Sequence, residues 1–122
     1  MVETDSWATL ALPVAETPDI LSLVRAASAK RRLYLPHALR QMNRAERMIQ
    51  TEEVRAVIEL GDVIEDYSDD PRGHSCLMLG FGVDRRPVHV VCAPKDEYLA
   101  IITTYLPDPA EWDDSFKLRK HQ

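Results

Sequence analysis

The chain has 122 residues, 45% of them hydrophobic, and a formal net charge of −5. That length suits one domain with a single core, and the acidity excludes a general nucleic-acid coat protein while leaving room for a local anion site. The two cysteines, Cys76 and Cys92, form neither a CxxC pair nor a zinc pattern, and each sits in an apolar run, as a small buried hydrophobe in a reducing compartment would.

Residues 1–16 mix polar and apolar residues without a clear period and read as an arm or added element before a single domain over 17–122. Met1–Ala15 lacks the basic start of a signal peptide. No apolar run approaches the ~20 residues of a membrane span, so a cytoplasmic protein without a membrane partner is expected. Thr17 and Pro18 form a helix start, cap and first position, for a helix to about Ala29. Arg31 and Arg32 fall near its negative end. A second helix is expected from Pro36 to about Gln50, and a third opens at Thr51 as cap, with Glu52 and Glu53 at its positive end. Val54, Val57, Ile58 and Leu60 give that helix its apolar stripe, and Gly61 closes it as a left-handed cap.

The period then changes to that of strands. Asp62–Tyr67, Ser75–Phe81, Pro87–Ala93 and Tyr98–Leu106 are the expected strands, separated by Asp69–Gly73, Gly82–Arg86 and Pro94–Glu97. Short turns favour an antiparallel meander. Asp108 and Glu111 have capping-box spacing and start a short C-terminal helix carrying Trp112 and Phe116. The expected class is α+β, N-terminal helices packed on a four-stranded antiparallel sheet.

Charge is unevenly spread. Residues 25–50 hold seven Lys/Arg against Glu46 alone, a sum of +6, so the other 96 residues sum to −11. His37, Arg40, Arg44 and Arg47 recur at helical spacing, opposite Leu35, Leu39, Met42, Ala45 and Ile49. Guanidinium groups beside a histidine suggest an anionic partner, although a solvated helix face with an incidental histidine has the same pattern.

Between Tyr34 and Arg119 stand ordered landmarks: His37-Ala38 with Met42 and Arg47; Gly61 with Ile64–Tyr67; Asp69–Gly73 before Ser75–Leu77 and Leu79-Gly80; Arg86–Val91; and Ile102–Tyr105 with Pro107–Pro109 and Trp112. In their order and spacing the chain resembles a bacterial family catalogued as domain of unknown function 4258. That family is similar to small toxins of the RelE and BrnT type. The resemblance implies the fold of small metal-independent ribonucleases and a toxin-like endoribonuclease acting on RNA such as mRNA, without cofactor or metal. It also implies an antitoxin partner encoded alongside, in such families often a zinc-finger protein.

Metal-free RNA cleavage needs a base for the 2′-hydroxyl, an acid for the leaving 5′-oxygen and cations for the phosphorane. His37 is the first candidate for acid or base, with Arg40 and Arg47 as catalytic cations. His89, in an apolar strand, is as readily a core histidine as a catalytic one, and Tyr105 stands at the end of the last strand. Arg44, Arg72, Arg86 and Thr103 are candidates for holding RNA, and each also has an ordinary surface or strand role. His74 reads as turn surface and His121 as tail. Adjacent Asp69 and Asp70 shape a turn more readily than they bind a metal. The competing reading is a non-catalytic module whose basic helix face docks an acidic protein.

Overall fold

Asp19 starts the first helix in the computed structural model, which describes residues 19–120, and its carboxylate accepts from the Ser22 amide at 2.8 Å. The cap is therefore Asp19 rather than Thr17; Thr17, the 1–16 arm and His121 lie outside the described residues. Helix α1 (Ile20–Lys30) buries Ile20, Val24, Ala27 and Ser28, the i, i+4, i+7 spacing of one face. Arg25 ties it to the end of a later helix, donating to the Ile58 and Gly61 carbonyls at 3.0 and 3.1 Å. Arg32 does donate to the Ser28 carbonyl near the end of α1, at 3.0 Å.

Arg32 belongs to a strand with no counterpart in the sequence reading. Strand β1 (Arg32–Tyr34) runs parallel to the last strand, pairing Arg32 with Leu99 and Tyr34 with Ile101. The sheet is thus five-stranded and mixed, in the order β1-β5-β4-β3-β2, rather than four-stranded and antiparallel. Its other members, β2 (Asp62–Tyr67), β3 (Ser75–Phe81), β4 (Pro87–Pro94) and β5 (Leu99–Tyr105), form the expected antiparallel meander.

The second helix, α2 (Pro36–Met42), ends eight residues before Gln50. Asn43 caps it, Met48 takes a left-handed φ of 45°, and the Ile49 amide donates back to the Met42 carbonyl at 2.9 Å. The chain thus brings Ile49 to the core through a turn. Ala38 and Met42 are buried, whereas Leu39 and Ala45 of the expected stripe are exposed. Arg40 stays at i+3 from His37 on α2, but Arg44 and Arg47 lie beyond the helix, so the four do not form one helical stripe. Arg44 pairs with Glu46 at 2.7 Å, an i, i+2 contact that a helix would not allow.

Helix α3 (Thr51–Leu60) buries Val54, Val57 and Ile58 as its period demands, and leaves Leu60 84% exposed. Gln50 rather than Thr51 is its N-cap, its amide donating to the Glu53 carboxylate at 3.1 Å. Gly61 is not left-handed, at φ −87°. Glycine is needed there because a Cβ would fall on the Leu79 carbonyl oxygen.

Helices α1 and α3 cover one face of the sheet, against Cys76, Met78, Val88, Val90 and Cys92. Cys76 and Cys92 are cross-strand neighbours, buried and free, and the bond the Cys92 thiol makes to Cys76, together with burial, raises the Cys92 thiol pKa. The other face carries Leu77, Leu79 and His89, which alternate with that set. The chain after β5 crosses this second face. Trp112 is buried against His89, and Arg119 reaches Glu65 of β2 at 2.8 Å and lies over the Trp112 ring. The expected C-terminal helix is instead a single turn at Asp108–Trp112, followed by a bridge between Trp112 and Arg119.

One buried carboxylate joins α3 to the β3–β4 hairpin. Glu53, 7% exposed, accepts from the Val83 amide at 2.8 Å and from Arg86 Nε and Nη2 at 2.9 and 2.8 Å. Desolvation opposes its charge, and the bonds from Arg86, Val83 and Gln50 outweigh it and hold the carboxyl below its ordinary pKa. Gly82 has no room for a side chain, since a Cβ would overlap Glu53 Oε2. Arg86→Ala leaves that buried charge unpaired and should cost about 3 kcal/mol in urea unfolding. A loss below about 0.5 kcal/mol, the range of ordinary surface changes, would show the pair to be dispensable.

Candidate functional site

Strand β1 stops at Tyr34, beside Ile101, so the last residues of β5 run on past their parallel neighbour. A cleft of about 400 Å³ opens there, between α2, the end of β5 and the turn that follows it. His37 and Gln41 enter from α2 at i, i+4 spacing, and Arg47 enters from the 43–50 turn. Thr103 and Tyr105 enter from β5 at i, i+2 spacing. Thr104 points to the opposite face, where its hydroxyl donates to the His89 carbonyl at 2.8 Å. Asp108 and Glu111 complete the wall.

His37 is exposed and Arg47 half-buried. Arg47 Nη1 donates to Gln41 Oε1 at 3.0 Å, which aims the guanidinium from α2 and leaves further donors of its fork for a ligand.

Tyr105 is held from behind. His89 is fully buried; its Nε2 lies 2.8 Å from the Phe116 carbonyl and its Nδ1 lies 3.3 Å from the Tyr105 hydroxyl. A carbonyl only accepts, so Nε2 carries the proton and Nδ1 accepts from Tyr105 O–H. Burial lowers the His89 pKa, against the raising influence of the Phe116 bond and of Glu65. Burial likewise raises the Tyr105 pKa, so the phenol keeps its proton. Trp112 meets the His89 ring edge-on at 4.5 Å between centroids, locking the imidazole in place. His89 is therefore a buried support for Tyr105 and does not line the cleft.

Of the residues singled out from sequence, the fold gathers His37, Arg47, Thr103 and Tyr105. Arg40 and Arg44 are exposed and outside the cleft lining. Arg72 forms a two-bond pair with Asp70, near Lys95 and so at the opposite end of the sheet from Tyr105. Arg86 is committed to Glu53 and to the Met48 carbonyl. His74 pairs with Asp66. Sequence reasoning missed Gln41, whose i+4 spacing from His37 was a usable signal, and Glu111, which only the turn after β5 brings into the cleft.

Residues 34–106, more than half of the chain, match the model of a family described as a domain of unknown function (DUF4258). The chain belongs to this family. No curated protein and no solved structure matches it. The DUF4258 match takes in α2, α3, β2–β5 and the cleft residues up to Leu106. Helix α1 and the C-terminal crossing, with Asp108, Glu111 and the Trp112 and Phe116 supports of His89, lie outside the matched residues.

The buried neutral His89 has a consequence for acid stability. Its folded pKa lies below the ordinary 6.5, so as pH falls through 6.5 the unfolded chain takes up a proton that the folded chain refuses. Stability therefore declines below about pH 6.5 and this contribution levels off once pH passes the folded pKa. Urea unfolding across this range should show the decline in the wild type and a flatter profile in His89→Gln; equal slopes would contradict the assignment.

Proposed function

We propose that the protein is a metal-independent endoribonuclease of the toxin type, similar in chemistry to RelE and BrnT toxins, acting in the cytoplasm on RNA such as mRNA. The observation that carries this reading is the meeting of His37, Arg47, Thr103 and Tyr105, far apart in sequence, in one cleft. The cleft supplies an imidazole for proton transfer, a guanidinium for the phosphorane and the Thr103 hydroxyl for the phosphate.

In this mechanism the 2′-oxygen of a ribose bonds to the adjacent phosphorus and the P–O5′ bond breaks. A 2′,3′-cyclic phosphate and a 5′-hydroxyl result. The carboxylate of Glu111 takes the 2′-hydroxyl proton, and His37, as imidazolium, gives one to the leaving 5′-oxygen. Arg47 neutralises charge gathering on the non-bridging oxygens. Tyr105, whose proton is committed to His89 Nδ1, presents an acceptor oxygen to a ribose hydroxyl, and the Thr103 hydroxyl orients the phosphate. Asp108 and Glu111 oppose a polyanion at the mouth, which limits the cleft to a short stretch of a single strand.

A co-encoded antitoxin, a zinc-finger protein as in related systems, would hold the enzyme inactive. The second reading, a non-catalytic module docking an acidic partner, draws support from Arg40 beside exposed Leu39, on α2 but outside the cleft lining. It predicts a stoichiometric complex and intact RNA.

The purified protein should cleave single-stranded RNA oligonucleotides in EDTA. His37→Ala and Arg47→Ala should each lower kcat/KM by at least about 100-fold with an unchanged melting temperature. Wild-type rates in either folded variant would contradict the proposed roles.

A further inference from the structure

Seven large apolar side chains are exposed among the described residues, and four of them adjoin. Met48, Phe81 and Val83, each just over half exposed, line a hollow of about 420 Å³ between the start of α3 and the β3–β4 hairpin. Leu60, 84% exposed, continues the band through a second hollow that shares Phe81 and Ala56. Along α3 the wall is Glu52, Ala56 and Leu60, at i, i+4 and i+8, a stripe of about 12 Å. That length accommodates about two turns of a second helix. The groove is preformed, because Glu53 bonds the Val83 amide and Arg86 and so fixes the hairpin against α3. A contiguous apolar band of this kind on a surface marks a binding site.

Charge decides among the occupants. Glu52 stands at the rim, while Asp84 and Arg85 on the hairpin offset each other and Asp62 is engaged with Lys117 at 3.5 Å. A second copy meeting this groove face to face would set another Glu52 against the first. Residues 1–18 carry Glu3, Asp5 and Glu16 and no Lys or Arg. Both are electrostatically mismatched.

We propose that the groove between α3 and the β3–β4 hairpin docks a basic amphipathic helix of a partner protein, its apolar face on Met48, Phe81, Val83 and Leu60 and a Lys or Arg against Glu52. This is recognition of a helix in a groove through i, i+3, i+4 and i+7 anchors. It does not depend on the ribonuclease reading, since it uses none of the cleft residues.

The probe is a displayed library of helical peptides of about twelve residues, with one face randomised, selected against the full chain. Enriched peptides should be apolar at i, i+3 or i+4 and i+7 and carry Lys or Arg. They should lose at least about tenfold in affinity to Phe81→Ser, Val83→Ser and Glu52→Lys, all exposed positions, with melting temperature as the check on folding. Enrichment of acidic peptides, enrichment of none, or binding indifferent to these substitutions overturns the proposal. So does a wild-type dimer in light scattering that Phe81→Ser dissolves, which would make a second copy the occupant.

Discussion

The carboxylate of Glu53 is the constraint on which the arrangement of this protein depends. It sits in the first turn of α3 and receives bonds from Gln50, Val83 and two nitrogens of Arg86. A charge so enclosed tolerates no slack, because any lost donor leaves it facing a low dielectric. One group therefore fixes the start of α3, the hairpin tip and, through the bond of Arg86 to the Met48 carbonyl at 3.2 Å, the turn that precedes α3. Arg47 is next to Met48 in that turn. The position of a guanidinium in the cleft thus traces back to a salt bridge on the far side of the same loop.

The cleft has a second support, built by the chain after β5. Leu106 leads out of the sheet, the Asp108 turn sets Glu111 in the cleft wall, and Trp112 and the Phe116 carbonyl then fix His89. His89 in turn accepts from Tyr105. Arg119, held by Glu65, fastens this crossing to β2. The matched DUF4258 region thus supplies His37, Arg47, Thr103 and Tyr105, and the crossing beyond it fixes Tyr105 through His89 and brings the Glu111 carboxylate beside them.

The meander was legible because alternation and turn residues are local signals: β2–β5 lie within a residue or so of where period and punctuation put them. Strand β1 was not, since three residues paired in parallel to a strand more than sixty positions on leave no local pattern. The basic segment misled in an instructive way. Arg25, Lys30 and Arg32 bond main-chain carbonyls at the ends of α1 and α3 and in the β4–β5 loop, which is structural work rather than anion binding. Beyond Met42 the helical spacing of Arg44 and Arg47 continues in sequence but not in space. Arg47 still reaches His37's cleft, by a left-handed residue and a turn that periodicity does not encode. The capping-box spacing at Asp108 was realised as one turn, because burying Trp112 on His89 outweighs extending a marginal helix.

The ends of the products report most directly on the chemistry assigned to the cleft. Mass spectrometry of RNA fragments made by the purified protein in EDTA should find a 2′,3′-cyclic phosphate on one fragment and a 5′-hydroxyl on the next. Products ending in 3′-hydroxyl and 5′-phosphate, or RNA left intact at stoichiometric protein, would contradict it.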